Sequence, residues 1–200
     1  MTAIRNICVY CGSSTGTEPI FAAAAISLGQ TLAQEGIGLV YGGGNSGLMG
    51  VVARAVLDHG GHVTGIIPSF LKDRELMMRD AQDLVVVPDM HTRKRLMFER
   101  ADAFIALPGG IGTLEELVEQ LTWVQLDRHQ KPVLLADIGG FWRPLLTLFA
   151  HMRDLGFIRS DSEVRYLVCE KIEDSLTMLR QAASRAALAG HPHTELNPGL

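Results

Sequence analysis

The 200-residue sequence is short of cysteine, of long apolar runs and of excess positive charge, and each shortage excludes a class of protein. Its three cysteines, Cys8, Cys11 and Cys169, are an odd number in a chain with ample apolar material, which argues against a disulfide framework. The spacing in "CVYC" invites a redox interpretation. However, "NICVYCG" reads as a buried strand, on which residues three apart face opposite sides, whereas a reactive pair sits at a helix N-terminus. No apolar stretch approaches the ~18 residues of a membrane span, and "MTAIRNICVYCGSS" has no apolar segment behind a basic start. The expected location is the cytoplasm, with no membrane contact. Positive charge is not in excess either: 18 Lys and Arg against 22 Asp and Glu give a formal net charge of −4, leaving no field to draw in nucleic acid. No His/Cys/Asp cluster has metal-ligand spacing, His191 and His193 stand in an aperiodic tail, and no serine has the G-x-S-x-G setting of a hydrolase nucleophile.

What the sequence does have is apolar material for one sizeable core, at 47% hydrophobic and 20% charged residues. β-Branched runs ("ICVYC", "IGLVYG", "HVTGIIP", "DLVVVP", "AFIALPG", "KPVLLAD", "YLVCE") alternate with helical patterns. Such alternation implies βαβ units that close right-handed. The expected fold is α/β, a single Rossmann-like doubly wound domain over residues 1–187. Its mostly parallel sheet has six or seven strands, with helices on both faces. Residues 188–200 read as a poorly ordered tail.

Three glycine-rich turns follow three strands: "CGSSTG" (11–16), "YGGGNSGLMG" (41–50) and "PGGIGT" (108–113). Together they suggest a phosphate-bearing ligand, because glycine lets backbone amides approach closely and a helix starting after each turn adds a partial positive charge. The second turn also fits G-x-G-x-x-G through Gly42, Gly44 and Gly47. A dinucleotide site would need an acidic residue about 20 positions on. The next strand ends in "GIIPSF" without one, and Asp58 belongs to the intervening helix, so NAD is a minor alternative.

In the third turn, Thr113 followed by Glu116 fits a capping box, a purely structural role. The alternative is chemical: if glycine amides hold an anion there, a nearby carboxylate must point at another part of the ligand. In "MHTRKRLM", Met90, Arg93 and Met97 share one helical face, so Arg93 falls on the apolar stripe, where a guanidinium needs a partner such as a phosphate or carboxylate. Arg95 and Arg100 fall on the solvated face. The stripe in "LEELVEQLTWVQL", with Trp123, reads as core.

At these residues the sequence resembles the LONELY GUY (LOG) family of cytokinin-activating phosphoribohydrolases. "PGGIGTLEE" fits PGGxGTxxE, "MHTRK" fits MHxRK, and "YGGGNSGLMG", "GSS" and "RELM" lie in the matching order over residues 8 to about 135. The superfamily often carries the label possible lysine decarboxylase, yet nothing in the sequence indicates a pyridoxal-phosphate site, and no cofactor is expected. The resemblance implies hydrolysis of the N-glycosidic bond of an N6-substituted adenosine 5′-monophosphate to free base and ribose 5-phosphate. It implies Arg93 and Glu116 as the catalytic pair. It also implies nucleotide contacts from Gly12, Ser13, Gly43, Gly44, Glu75, Met90, Lys94, Gly109, Gly110, Gly112, Thr113 and Glu115, and a homodimer with the pocket near the dimer contact. Ile111 fills the variable motif position.

The chemistry is consistent. Glycosidic cleavage develops oxocarbenium character, which a carboxylate ionised at neutral pH stabilises while orienting water. A phosphate held remotely positions the sugar. The purine needs a proton, for which Glu75 is a candidate and His91 and His129 are weaker ones. A non-catalytic nucleotide or cofactor carrier using the same loops is the competing interpretation.

Overall fold

The first strand, β1 (Asn6–Tyr10), is buried on both faces and runs through the middle of the sheet. The computed structural model describes residues 4–72, 77–159 and 164–188. From β1 the chain alternates through α1 (Pro19–Gln34), β2 (Gly38–Tyr41), α2 (Gly47–Asp58), β3 (Val63–Pro68), β4 (Asp83–Val87) and α3 (Met90–Arg100). It continues through β5 (Ala103–Ala106), α4 (Ile111–Gln125), β6 (Val133–Ala136), α5 (Arg143–Asp154), β7 (Leu167–Cys169) and α6 (Ser175–Leu188). Each β-branched run of the sequence supplies one strand. The tail expected from 188 lies, apart from Leu188 at the end of α6, outside the described residues.

All seven strands are parallel, in the order β4-β3-β2-β1-β5-β6-β7. Successive strands step outward from β1 in one direction, and the chain then returns to add β5 on the other side. The order therefore reverses between β1 and β5, and in open parallel sheets the crevice beyond the strand ends at such a point is where ligands bind.

Two apolar layers sandwich the sheet. One joins Ile7, Val9 and Cys11 to α1, α2 and α6; the other joins Cys8, Tyr10 and Phe104 to Met97 and Phe98 of α3 and Leu117 and Leu121 of α4. Cys8 and Cys11 thus lie in different layers, neither in a disulfide, as strand geometry requires. Trp123 is half-buried, edge-on to Phe98 at 5.0 Å between ring centroids.

Candidate active site

The three glycine turns meet at the carboxyl ends of the strands, and Gly12 joins them. Its amide donates to the Pro108 carbonyl at 3.1 Å, and its carbonyl accepts from Leu48 and Met49 at 3.0 and 3.4 Å. Those last two amides open α2, so the helix spends its positive end on the first loop. Gly47 (φ +57°) lies so close to the Ser13 and Ser14 backbone that any side chain there would collide. Gly43 and Gly44 are buried, the first accepting from Met78 at 3.0 Å and the second bridged to Met77. The expectation that every glycine turn presents a helix start to a phosphate is corrected here. The second turn buttresses the first, and α1 begins only at Pro19, behind Glu18 as its cap. With α2 already committed and no acidic residue closing β3, the dinucleotide alternative has no seat for its pyrophosphate.

The third turn remains open. A cleft of about 240 Å³ lies at the reversal point, lined by residues 12–16 of the first loop, 108–110 of the third, and Phe21, Leu48 and Phe141. At its edge α4 starts at Ile111, with Gly110 as an extended N-cap (φ −88°, ψ −159°) that has no side chain to offer the first-turn amides. Those amides and the helix dipole give the edge of the cleft a partial positive charge, the kind of end that suits an anion.

The capping box read from the sequence does not form. Thr113 is the third residue of α4, buried beside Gly109, where any Cβ would meet its hydroxyl, and Glu116 lies a turn deeper. Starting the helix three residues earlier is favoured because it buries one stripe: Thr113, Glu116, Leu117, Gln120, Leu121 and Val124, at offsets of 3, 4, 7, 8 and 11.

Arg93 and Glu116 are 5% and 9% exposed, which is unusual for charged residues. Asp89 caps α3, accepting from the Thr92 amide at 2.7 Å, and the helix aims Arg93 inward. Its Nη2 donates to the Gly42 carbonyl at 3.1 Å, and its Nη1 lies 3.8 Å from the Met90 sulfur. Gly42 leaves the room for this, since a Cβ there would strike the guanidinium.

Both charges act on the buried Cys8 thiol. Burial raises its pKa well above the usual range, Glu116 raises it further, and Arg93 opposes. The Tyr10 hydroxyl is raised likewise, by burial first, then by Cys8 and Glu116. Arg93 and Glu116 are therefore gathered at the α3/α4 face of β1.

Lys94 and Glu115, both expected at the nucleotide, hold each other: Lys94 Nζ donates to Glu115 at 2.6 Å and to Glu119 at 2.9 Å, tying α3 to α4. Partial burial works against the ammonium, yet the two carboxylates leave its pKa raised. Ser13 is exposed in the cleft wall, Gly109 is half-buried, and Gly110 and Gly112 are exposed. Glu75 lies outside the described residues.

His91 is exposed on α3, while His129 is packed against Phe98 and Phe104 at 5.2 and 5.8 Å, and burial lowers its pKa to about 4. His129 is thus a neutral packing residue at physiological pH. Arg95 pairs with Glu99 on the surface, and Arg100 is exposed. Among the described residues no group of three His, Cys, Asp or Glu could hold a metal ion.

The sequence did not reveal Phe21 and Phe141 at the cleft, Asp89 as a cap, or the buried Tyr10 and Gln120 near Glu116. Only Asp89 carried a local signal, as Asp three residues before Thr92 at the start of a helical pattern.

The family model described as possible lysine decarboxylase matches residues 49–179. The chain is 46% identical over 181 residues, 90% of its length and 79% of the relative's, to a probable cytokinin riboside 5′-monophosphate phosphoribohydrolase, LOG4, of Oryza sativa subsp. japonica. It is 51% identical over 154 residues, 77% of its length and 71% of the relative's, to the cytokinin riboside 5′-monophosphate phosphoribohydrolase LOG7 of Arabidopsis thaliana. Among solved structures it is similar to the molybdenum cofactor binding protein of Rippkaea orientalis, with a TM-score of 0.68 and 24% identity over 90% of this chain and 98% of that one. It is also similar to a Moco carrier protein of Chlamydomonas reinhardtii, with a TM-score of 0.68 and 20% identity over 92% and 99% of the two chains. At those identities the structural likeness speaks for the fold alone.

Proposed function

This chain belongs to the LOG family, within the possible lysine decarboxylase group, and on that premise we propose that it is a nucleoside 5′-monophosphate phosphoribohydrolase. It hydrolyses the N-glycosidic bond of N6-substituted adenosine 5′-monophosphates. Water adds its hydroxyl to C1′, the C1′–N9 bond breaks, and the base leaves with a proton, giving free base and ribose 5-phosphate.

The roles of individual residues are part of the proposal. The first-turn amides of α4, at Ile111, Gly112 and Thr113, bind the 5′-phosphate, with Gly109, Gly110, Gly12 and Ser13 forming the wall around it. Glu116 faces the sugar, stabilises positive charge developing at C1′ and orients the attacking water. Arg93, seated on Gly42, balances the buried carboxylate and contacts the substrate. Lys94 and Glu115 contribute by locking α3 to α4. Gly43 and Gly44 contribute by shaping the second turn behind the first. The single observation that carries this reading is the burial of Glu116 one turn below helix amides that no side chain caps, with the buried Arg93 acting on the same Cys8 thiol.

The test is incubation with AMP and with N6-isopentenyl-AMP, followed by quantitation of free base and ribose 5-phosphate. Equal amounts of both products are expected, faster from the substituted nucleotide. Nucleotide binding with neither product would leave the carrier interpretation instead.

The proposal extends to assembly and location. The outward face of α4 exposes Ile111 and Val118, and Leu126 is exposed just past its C-terminus, which supports pairing with a second copy beside the cleft. No helix among the described residues is long and apolar enough to cross a membrane, consistent with a cytoplasmic enzyme whose catalytic unit spans residues 1–187.

A further inference from the structure

Gln120 lies on the same buried stripe of α4 as Glu116, four residues further along, and is 1% exposed. Neither its Oε1 nor its Nε2 has a hydrogen-bond partner among the described residues. A buried amide left in that condition is destabilising, and an apolar side chain of the same shape would serve the packing at least as well. Leu117, Leu121 and Val124 complete the stripe around it and show what pure packing calls for there.

Helix geometry restricts what the amide can reach. Side chains at i and i+4 are neighbours, with Cβ atoms roughly 6 Å apart. Side chains also lean toward the helix N-terminus, so Gln120 points back at Glu116 and not onward along α4. Among the described residues, Cys8 and Tyr10 of β1 respond to the charge of Glu116, and Cys8 responds also to Arg93 of α3. Glu119, on α4 itself, is held by Lys94.

We infer that Gln120 is a positioning residue for Glu116: when substrate closes the site, its Nε2–H donates to the Glu116 carboxylate and holds it ionised and oriented toward the sugar. Catalytic hydrogen bonds are often loose without substrate and tighten in the complex, which accommodates the open geometry seen here. This inference rests on the reading of Glu116 as the catalytic carboxylate.

The test compares Gln120→Met, close to isosteric, with the wild type and with Glu116→Gln, using N6-isopentenyl-AMP as substrate. A hydrogen bond to a carboxylate favours its charged form, so losing it raises the pH at which Glu116 becomes protonated. For Gln120→Met, kcat is expected to fall roughly tenfold with KM within about twofold, and the acidic limb of the kcat profile to move up by about one pH unit. Its melting temperature should equal or exceed that of the wild type, because an unpaired amide has been removed.

Unchanged kcat and pH profile would overturn the inference, as would a fall in kcat without movement of the acidic limb or an effect confined to KM. Should Gln120→Met fail to fold, Gln120→Leu carries the same readouts. Glu116→Gln separates the two levels. If it retains turnover, the role of Glu116 itself fails; if it is inactive while Gln120→Met is silent, only the positioning role fails.

Discussion

A carboxylate and a guanidinium that are both buried and both act on one thiol are costly unless a partner or a ligand satisfies each. Arg93 was legible in the sequence, because its i, i+3, i+4 relation to Met90 and Met97 put a cation on an apolar stripe, and it is buried there. Its seat was not legible: Gly42 read as one more glycine of a phosphate loop, while its lack of a side chain is what admits the guanidinium. Glu116 was recognised as a candidate, but its spacing from Thr113 equally suited a cap. The start of α4 at Ile111 removes the cap and leaves the chemical role to be tested. Glu116→Gln keeps the shape and removes the charge, so turnover is expected to fall by about 10²–10⁴-fold while AMP affinity stays within a few-fold. Single-turnover kinetics beside equilibrium nucleotide binding would check this, and near-normal turnover would return Glu116 to a structural role.

The α4 element joins stability to function through Gly110. A helix whose cap has no side chain leaves its first-turn amides to an external acceptor, and here they border the cleft. A Cβ on Gly110 would meet nothing within 4 Å, and its φ of −88° suits any residue. Gly110→Ser should therefore stabilise α4 by a few tenths of a kcal/mol, because serine caps slightly better than glycine. Its hydroxyl would compete with phosphate for the same amides, so AMP affinity should fall as the melting temperature rises. Calorimetric unfolding and nucleotide titration of the one variant would test both halves. The strands and helices themselves were legible, since runs rich in valine and isoleucine alternate with 3.6-residue periodicity along the chain. The commitment of the α2 amides to Gly12 was not, because it depends on two loops far apart in sequence meeting only after the sheet has formed.

At the scale of the whole molecule, alternating strands and helices were enough to imply a parallel doubly wound sheet. They did not fix the strand order, because successive βαβ units step the same way until a long-range choice places β5 beside β1. That choice creates the crevice. His129 is buried against the aromatic rings of Phe98 and Phe104, linking global stability to pH. The folded pKa is about 4, below the ordinary 6.5, so between those values the unfolded chain binds more protons and the fold weakens as pH drops. From pH 7 to pH 4 the wild type should lose up to about 3 kcal/mol more stability than His129→Phe, measured by urea unfolding at each pH. Parallel curves would show that His129 carries no such coupling.

The most direct test of the central claim is a crystal structure of Glu116→Gln with N6-isopentenyl-AMP bound. The 5′-phosphate is expected within hydrogen-bonding distance of the amides of Ile111, Gly112 and Thr113, with C1′ roughly 3–3.5 Å from the side chain at position 116 or from a water that it holds. A phosphate bound away from the start of α4, or a ribose turned away from that side chain, would contradict the account.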